Sequence, residues 1–141
     1  MSIYFRRMFV FLSLISAAGC SGNAEHSGKL KIEGTATWNG APIADGTVTL
    51  LAPDSQFDSA PIENGKFTIF TTPGPKTVSV MAERELGTPQ PTPHEPNPSP
   101  IKFQYLPKEY NVESTLQKTV TSDTKLLELE LTGAERTAPK H

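Results

Sequence analysis

The sequence predicts an all-β fold, a seven-stranded antiparallel β-sandwich interrupted by one long proline-rich loop. Runs in which apolar and polar residues alternate recur about every ten residues, which is typical of strands in a sandwich or barrel. Turn dipeptides separate these runs, as at Asn39-Gly40, Asp45-Gly46 and Asn64-Gly65. No segment has the 3.6-residue apolar period of an amphipathic helix.

The first predicted strand, Lys29–Trp38, has the clearest alternation. Its apolar residues occupy every second position and predict one buried face that includes Ile32 and Trp38. The polar segment Asp54–Ile62 is ambiguous between strand and loop. Five further strands are predicted, over Gly46–Ala52, Lys66–Thr71, Lys76–Glu83, Ser114–Thr121 and Lys125–Thr132.

The proline-rich loop covers residues 86–108. Its prolines are Pro89, Pro91, Pro93, Pro96, Pro98, Pro100 and Pro107. This density disfavours a central strand and favours an extended polyproline conformation, which loses little entropy when it docks. The loop is either a contact region for a partner or a spacer. The candidate contact residues are Pro91, Pro93, His94, Pro96, Phe103 and Tyr105.

The N-terminal residues predict export. Arg6 and Arg7 precede the apolar run Met8–Ile15, and small residues follow, which is the order of a secretory signal peptide. The apolar run is shorter than the roughly 20 residues of a membrane-spanning helix. The residues Ala17-Ala18-Gly19-Cys20 resemble the lipobox of bacterial lipoproteins, although Leu is commonest where Ala17 stands. The resemblance implies cleavage after Gly19 and a lipid on Cys20, with palmitate-like acyl chains that anchor the protein in a membrane.

The predicted export and lipid anchor imply a location in the cell envelope, and composition disfavours nucleic-acid binding. Removal of residues 1–19, which contain Arg6 and Arg7 and no carboxylate, changes the formal net charge from −2 to −4. No basic patch remains for a phosphate backbone. We expect a monomer in the periplasm or at the cell surface, and Ser21 favours the outer membrane over the inner. The predicted segments are a signal peptide (1–19), a flexible tether (20–28), a β-domain (29–132) and a disordered tail (133–141).

The turns and strands together resemble carboxypeptidase regulatory-like domains, which are small transthyretin-like (prealbumin-like) sandwiches with Ig-like architecture. The resemblance covers residues 29–132 and implies a non-catalytic binding or structural module. At Pro75-Lys76-Thr77 the sequence departs from the usual aromatic residue of the family. The matching segments are Gly34, Gly40-Ala41-Pro42-Ile43, Asp45-Gly46, Asn64-Gly65-Lys66-Phe67, Pro73-Gly74 and Leu106-Pro107-Lys108-Glu109-Tyr110-Asn111.

Candidate chemistry is sparse, so we expect no enzyme and no cofactor apart from the covalent lipid. His26, His94 and His141 do not form a pair at strand or helix spacing. Carboxylates of Asp54, Asp58 and Glu63 could line a weak calcium loop, but a solvated acidic loop is the favoured interpretation. A transthyretin-like hydrolase is a remote alternative, because Leu-Thr-Gly-Ala-Glu-Arg replaces that family's C-terminal Tyr-Arg-Gly-Ser and the strands contain no His.

Four aromatic residues carry the remaining alternative, a carbohydrate-binding module. Trp38, Phe103 and Tyr105 could form an exposed platform for a sugar, with Tyr110 beside it. The structural interpretation is favoured for each: Trp38 in the core, Phe103 and Tyr105 docking the loop, and Tyr110 bonding a backbone carbonyl. The partner is therefore predicted to be an envelope protein or a polysaccharide, in addition to the membrane.

Overall fold

Strands dominate the backbone of this protein, whose computed structural model describes residues 28–139. The predicted signal peptide, Cys20, His26, His141 and all of the tether except Gly28 lie outside the described residues. The nine strands of the described part are β1 (Leu30–Trp38), β2 (Ala41–Pro42), β3 (Asp45–Leu51), β4 (Phe57–Glu63), β5 (Lys66–Thr71), β6 (Gly74–Gly87), β7 (Ile101–Gln104), β8 (Gln117–Val120) and β9 (Leu126–Leu131). One 3₁₀ turn, Lys108–Tyr110, lies between β7 and β8.

β1 forms as its alternation predicts. Ile32 and Ala36 are fully buried and Trp38 is 6% exposed, whereas Lys31 and Glu33 point to solvent. Both edges of β1 are hydrogen-bonded, one to β5 in antiparallel fashion and the other to β9 in parallel. β1 is therefore a central strand, although it is the first in the described chain.

The strands form one hydrogen-bonded path in the order β2-β1-β5-β4-β3-β6-β7. β9 adds to β1 and β8 adds to β6, and the largely antiparallel sheet curls into a half-barrel. β4 and β5 share only the pair Glu63–Lys66. Pro61 has no N–H to donate to a ladder, which is consistent with the separation of these strands beyond their hairpin.

Two of the predicted turns have the predicted geometry. Asn39 and Gly40 have φ values of 50° and 84°, and Asn64 and Gly65 have values of 50° and 75°. Positive φ at both central residues is what a type I′ hairpin turn requires, and Asn-Gly adopts it at low cost. These turns connect β1 to β2 and β4 to β5.

One core cluster unites the half-barrel. Side chains from β1, β3, β4, β5, β6, β8 and β9 contribute to it, together with Ile43 and Leu106. Val48, Leu50 and Ile62 are among its fully buried members. Leu106 lies in the segment predicted as loop, and it docks that segment onto the core as an apolar residue there can.

The all-β antiparallel prediction is confirmed, and the details differ in three places. The ambiguous segment forms a strand, β4, because β3 pairs with its whole length. The predicted loop 86–108 is interrupted, since β6 continues to Gly87 and pairs with β7, which leaves Thr88–Pro100 as the connection between these strands and residues 105–108 after β7. Nine strands replace the predicted seven, partly because β6 pairs with β8 along its first half and with β7 along its second.

No helix among residues 28–139 is both long enough and apolar enough to span a membrane.

Strand register defines two ends of the half-barrel. The entry end is the end at which β1 begins at Leu30. The connections from β3 to β4, from β5 to β6 and from β8 to β9 also lie there. At the distal end, β1 finishes at Trp38, roughly 26 Å away at 3.3 Å per residue. Pairing between β3 and β6 stops at Gly46–Ala82, so the rest of β6 extends past the distal end with β7 alone.

Candidate functional site

The part of β6 and β7 that extends past the half-barrel is the candidate site, and we call residues 83–104 the distal hairpin. Its strands pair Glu83 with Gln104, Arg84 with Phe103 and Glu85 with Lys102. A register shift between Glu85 and Gly87 marks a bulge, which twists a hairpin locally. The opposite charges of Glu85 and Lys102 face each other across the ladder, a favourable cross-strand pair.

The tip of the distal hairpin is a tight turn. The Thr92 N–H donates to the Glu95 carbonyl at 3.0 Å, and the Glu95 N–H donates to the Thr92 carbonyl at 3.1 Å and hydroxyl at 3.0 Å. Pro93 and His94 lie at the centre of this turn, where Pro fixes a suitable φ. The predicted contact residues Pro91, Pro93, His94 and Pro96 are all exposed. Their accessibility is compatible with partner contact, which stays a prediction.

The base of the distal hairpin is held by cation–aromatic contacts. The Arg84 guanidinium lies 4.4 Å from the ring centre of Tyr105, and that of Arg136 lies 5.9 Å from the ring centre of Phe103. Arg84 also pairs with Glu135 at 2.6 Å. The pKa of the Tyr105 hydroxyl is raised, mainly by burial. The positive charge of Arg84 lowers this pKa and the negative charge of Glu135 raises it. Phe103 and Tyr105 are partly buried, so the predicted docking role agrees with their positions.

Residues after β9 follow the hairpin base, although the sequence predicts a disordered tail from residue 133. Gly133 exchanges two hydrogen bonds with the Asn39 side chain, both at 3.0 Å. The Arg136 N–H donates to the Tyr105 carbonyl at 2.9 Å. The polar composition of this segment does not predict these contacts, because their partners lie far away in the sequence. These hydrogen bonds place Gly133 and Arg136 beside the end of β1 and the base of the distal hairpin.

Trp38 and Tyr110 have the structural roles predicted for them. Their rings meet edge to face, with centres 5.9 Å apart and planes at 80°. The Tyr110 hydroxyl donates to the Thr132 carbonyl at 2.8 Å, which joins the 3₁₀ turn to the end of β9. With Trp38 buried, the three aromatic residues predicted for a sugar platform do not form one exposed surface.

The acidic residues considered for calcium do not assemble. Glu63 lies at the distal end, whereas Asp54 and Asp58 lie at the entry end. Asp54 accepts a hydrogen bond from the Gln56 N–H at 3.2 Å, and Asp58 pairs with Lys29. Within residues 28–139, no three His, Cys, Asp or Glu side chains lie together as metal ligands would.

A buried ionic cluster at the entry end was missed by the sequence analysis. Lys76 is 2% exposed, and its ammonium donates to the Thr72 hydroxyl at 3.0 Å. Its charge acts on Asp58, which accepts a hydrogen bond from Lys29. The only available signal was the alternation of β6, which places Lys76 on the face of Val78 and Val80. A buried charge requires such compensation.

The pKa of Asp58 reflects this cluster. Burial raises it, but the Lys29 hydrogen bond, the Thr71 hydroxyl and the charges of Lys29 and Lys76 outweigh burial, so the pKa is below its ordinary value. The fully buried Thr71 hydroxyl acts on the carboxyl without meeting the geometry of a regular hydrogen bond. The ion pair of this cluster is Lys29–Asp58, and Lys76 acts on Asp58 through its charge.

A surface groove lies over β1, β4 and β5. It has a volume of about 890 Å³ and is wide open to solvent. Glu33, Glu63 and Lys66 line it from exposed positions, and His94, the only histidine among the described residues, is not among its lining residues.

Comparison with models of protein families, with curated proteins and with solved structures finds no match to this chain.

Proposed function

We propose that this protein is a lipid-anchored, non-catalytic module of the cell envelope that holds the distal hairpin out to a protein partner. The lipid is on Cys20, and the outer membrane is the favoured location. The observation that carries this proposal is the register of β1. The chain enters at Lys29 on one end of the half-barrel, and the distal hairpin extends from the other.

Distances support a presenting role. The segment 21–28 reaches at most about 30 Å from Cys20 when fully extended. β1 adds roughly 26 Å between the two ends. The distal hairpin begins where β1 finishes, so it stands well clear of a bilayer that holds Cys20. Contacts with envelope components away from the membrane are favoured by this placement.

The distal hairpin combines a fixed base with an accessible tip. The Arg84–Glu135 pair and the cation–aromatic contacts hold the base, so the tip is presented in a limited set of directions. Leu86 and Ile101 are exposed between base and tip and offer apolar contact area beside the prolines. Extended proline segments lose little conformational entropy on docking, which favours a protein ligand.

We infer further that the half-barrel is a sandwich of the carboxypeptidase regulatory-like type. The single β4–β5 pair divides the path into a β9-β1-β5 half and a β4-β3-β6 half. Side chains from both halves contribute to the one core cluster, as the two sheets of a sandwich do. An experimental structure in which these halves are not layered would contradict this assignment.

The anchor is tested by Cys20→Ala. In cells labelled with radioactive palmitate, we expect the parent protein to carry label and to sediment with membranes. The variant should remain unlabelled and either stay unprocessed or enter the soluble fraction. Unchanged labelling and membrane association of the variant would refute the anchor.

The role of the distal hairpin is tested by photo-crosslinking in cells. A photoreactive residue at position 94, at the tip, should give discrete adducts with an envelope protein. The same residue at position 130, an exposed site on β9, is the matched control and should give none of them. Identical adduct patterns at the two positions would refute a contact specific to the hairpin.

A further inference from the structure

The entry end has an exposed apolar pair that the proposed function does not use. Leu51 and Phe57 face each other across the β3–β4 ladder, and they are 42% and 67% exposed. Both are on the outer side of the sheet, because the alternate residues Leu50 and Ala60 are buried. An exposed aromatic residue next to an exposed leucine at a hairpin end is an apolar contact surface.

Charge is distributed unevenly along the half-barrel. At the entry end the four accessible lysines equal the carboxylates in number and Lys76 is buried, whereas carboxylates predominate over the rest of the domain. Carboxylates away from the entry end include Glu83, Glu85, Glu95, Glu128 and Glu130. The cations at the entry end are Lys29, Lys31, Lys76, Lys118 and Lys125, and its carboxylates are Glu33, Asp54, Asp58 and Asp123. A negatively charged surface would therefore repel the rest of the domain but not the entry end, which favours approach by the entry end.

The tether brings the entry end close to the membrane. This step rests on the proposed lipid at Cys20. With at most about 30 Å of chain between Cys20 and Lys29, the bilayer surface is always within reach of Leu51 and Phe57. Tethering converts a weak surface contact into an intramolecular one with a high effective concentration.

We propose that the entry end lies on the surface of an anionic bilayer. Phe57 and Leu51 insert into the interfacial region, and the exposed lysines face lipid phosphates or carboxylates. Aromatic and aliphatic side chains combined with lysines are what such surfaces bind. The contact orients the half-barrel upright, so the distal hairpin is directed away from the membrane rather than free to tumble.

The test uses the full lipidated protein in vesicles, with one spin label. Cys20 is the sole cysteine and has no free thiol once lipidated, so Phe57→Cys provides a unique labelling site. Val112→Cys is the matched control: Val112 is 83% exposed and follows Asn111, whose carbonyl bonds to Ser79 halfway along β6. In vesicles containing anionic lipid, we expect at least a threefold lower accessibility to a water-soluble nickel quencher at position 57 than at position 112. Raised salt should reduce the difference.

Three outcomes would overturn the proposal. The first is equal accessibility of the two labels in anionic vesicles. The second is equal protection at position 57 in neutral and anionic vesicles, which contradicts the role of the lysines. The third is protection at position 57 in Cys20→Ala protein without vesicles, which assigns the surface to a second copy. Failure of the anchor is distinguished by mass spectrometry, since a mature protein without acyl chains refutes the lipid on Cys20 itself.

Discussion

Lys76 allows the free-energy cost of a buried charge to be tested. Its ammonium is buried, and the nearby carboxylate of Asp58 also pairs with a second cation, Lys29. We consider Lys76→Met, which preserves a long unbranched side chain and removes the charge. Asp58 keeps its ion pair with Lys29 in this variant. Asp58→Asn is the complementary change, which leaves the Lys76 ammonium buried without a carboxylate.

The two changes have different expected magnitudes. Replacing a buried charge by an apolar residue of similar size is often neutral or stabilising by about 1–4 kcal/mol. Lys76 has one hydrogen bond, to the exposed Thr72, which water can replace. We therefore expect Lys76→Met to raise the free energy of unfolding by 0 to about 2 kcal/mol. Asp58 is only partly buried and its ion pair is with Lys29, so we expect Asp58→Asn to lower the free energy of unfolding by about 2 kcal/mol, through the lost charged hydrogen bond and the lost compensation of Lys76.

A double-mutant cycle measured by urea unfolding tests this reasoning. In the Lys76→Met background, Asp58→Asn should cost only about 1 kcal/mol, because no buried cation is left behind. The coupling energy should then be about 1 kcal/mol. Two results would refute the compensation of Lys76 by Asp58. One is an equal decrease in the free energy of unfolding for Asp58→Asn in both backgrounds, and the other is a decrease of more than about 2 kcal/mol for Lys76→Met alone.

The same cluster predicts a pH dependence. The folded-state pKa of Asp58 is below its ordinary value of about 3.9, so the folded protein binds this proton less readily than the unfolded chain. The contribution of Asp58 to stability is complete above the ordinary pKa and is lost as pH falls through the lower folded value. Asp58→Asn should therefore show a smaller loss of stability between pH 5 and the acid range, measured by thermal melts. An equal loss in both proteins would contradict this assignment.

Three further changes test individual contacts. Tyr110→Phe should lower the free energy of unfolding by about 1 kcal/mol, since only the bond to Thr132 is lost, and no change in urea midpoint would contradict that role. Gly34→Ala should lower the free energy of unfolding by about 1–3 kcal/mol, because the added methyl overlaps the Phe67 ring. Phe67→Leu should reduce this loss of stability, and independent effects of the two substitutions would disprove the contact. Replacing Thr88–Pro100 by Asn-Gly should leave a cooperative melt and add up to about 1.5 kcal/mol from the shorter connection, whereas loss of cooperativity would show that the segment supports the core.

Much of the fold follows from local patterns in the sequence. The alternation in β1 and β9 and the two Asn-Gly turns are local features, and the structure has them where they are predicted. β4 was ambiguous because Asp58, Ser59 and Pro61 are poor strand formers, and the pairing with β3 overrides their propensity. β7 lies within the segment predicted as a proline-rich loop, although six of the seven prolines of that segment precede Ile101 and the seventh, Pro107, follows the strand.

The candidate site was predicted in part. The exposure of the prolines and His94 follows from composition, and the docking of Phe103 and Tyr105 follows from their apolar character. The contact of Arg136 with Phe103 and the pair of Arg84 with Glu135 depend on the path of residues 133–136, which no local pattern encodes. The parallel register of β1 with β9 is equally non-local, and it determines where β9 ends and how the terminal segment reaches the distal hairpin.

The parallel pair of β1 and β9 also has a consequence for biogenesis. It joins the first strand of the described chain to the last, as in Glu33 with Leu126, which gives the fold many contacts between distant residues and predicts slow folding. In an exported chain, the second edge of β1 stays open until β9 has left the translocation channel, so the fold closes only after translocation is nearly complete. A chain truncated before Leu126 would leave that edge unpaired and available to other strands, and it would be prone to aggregation.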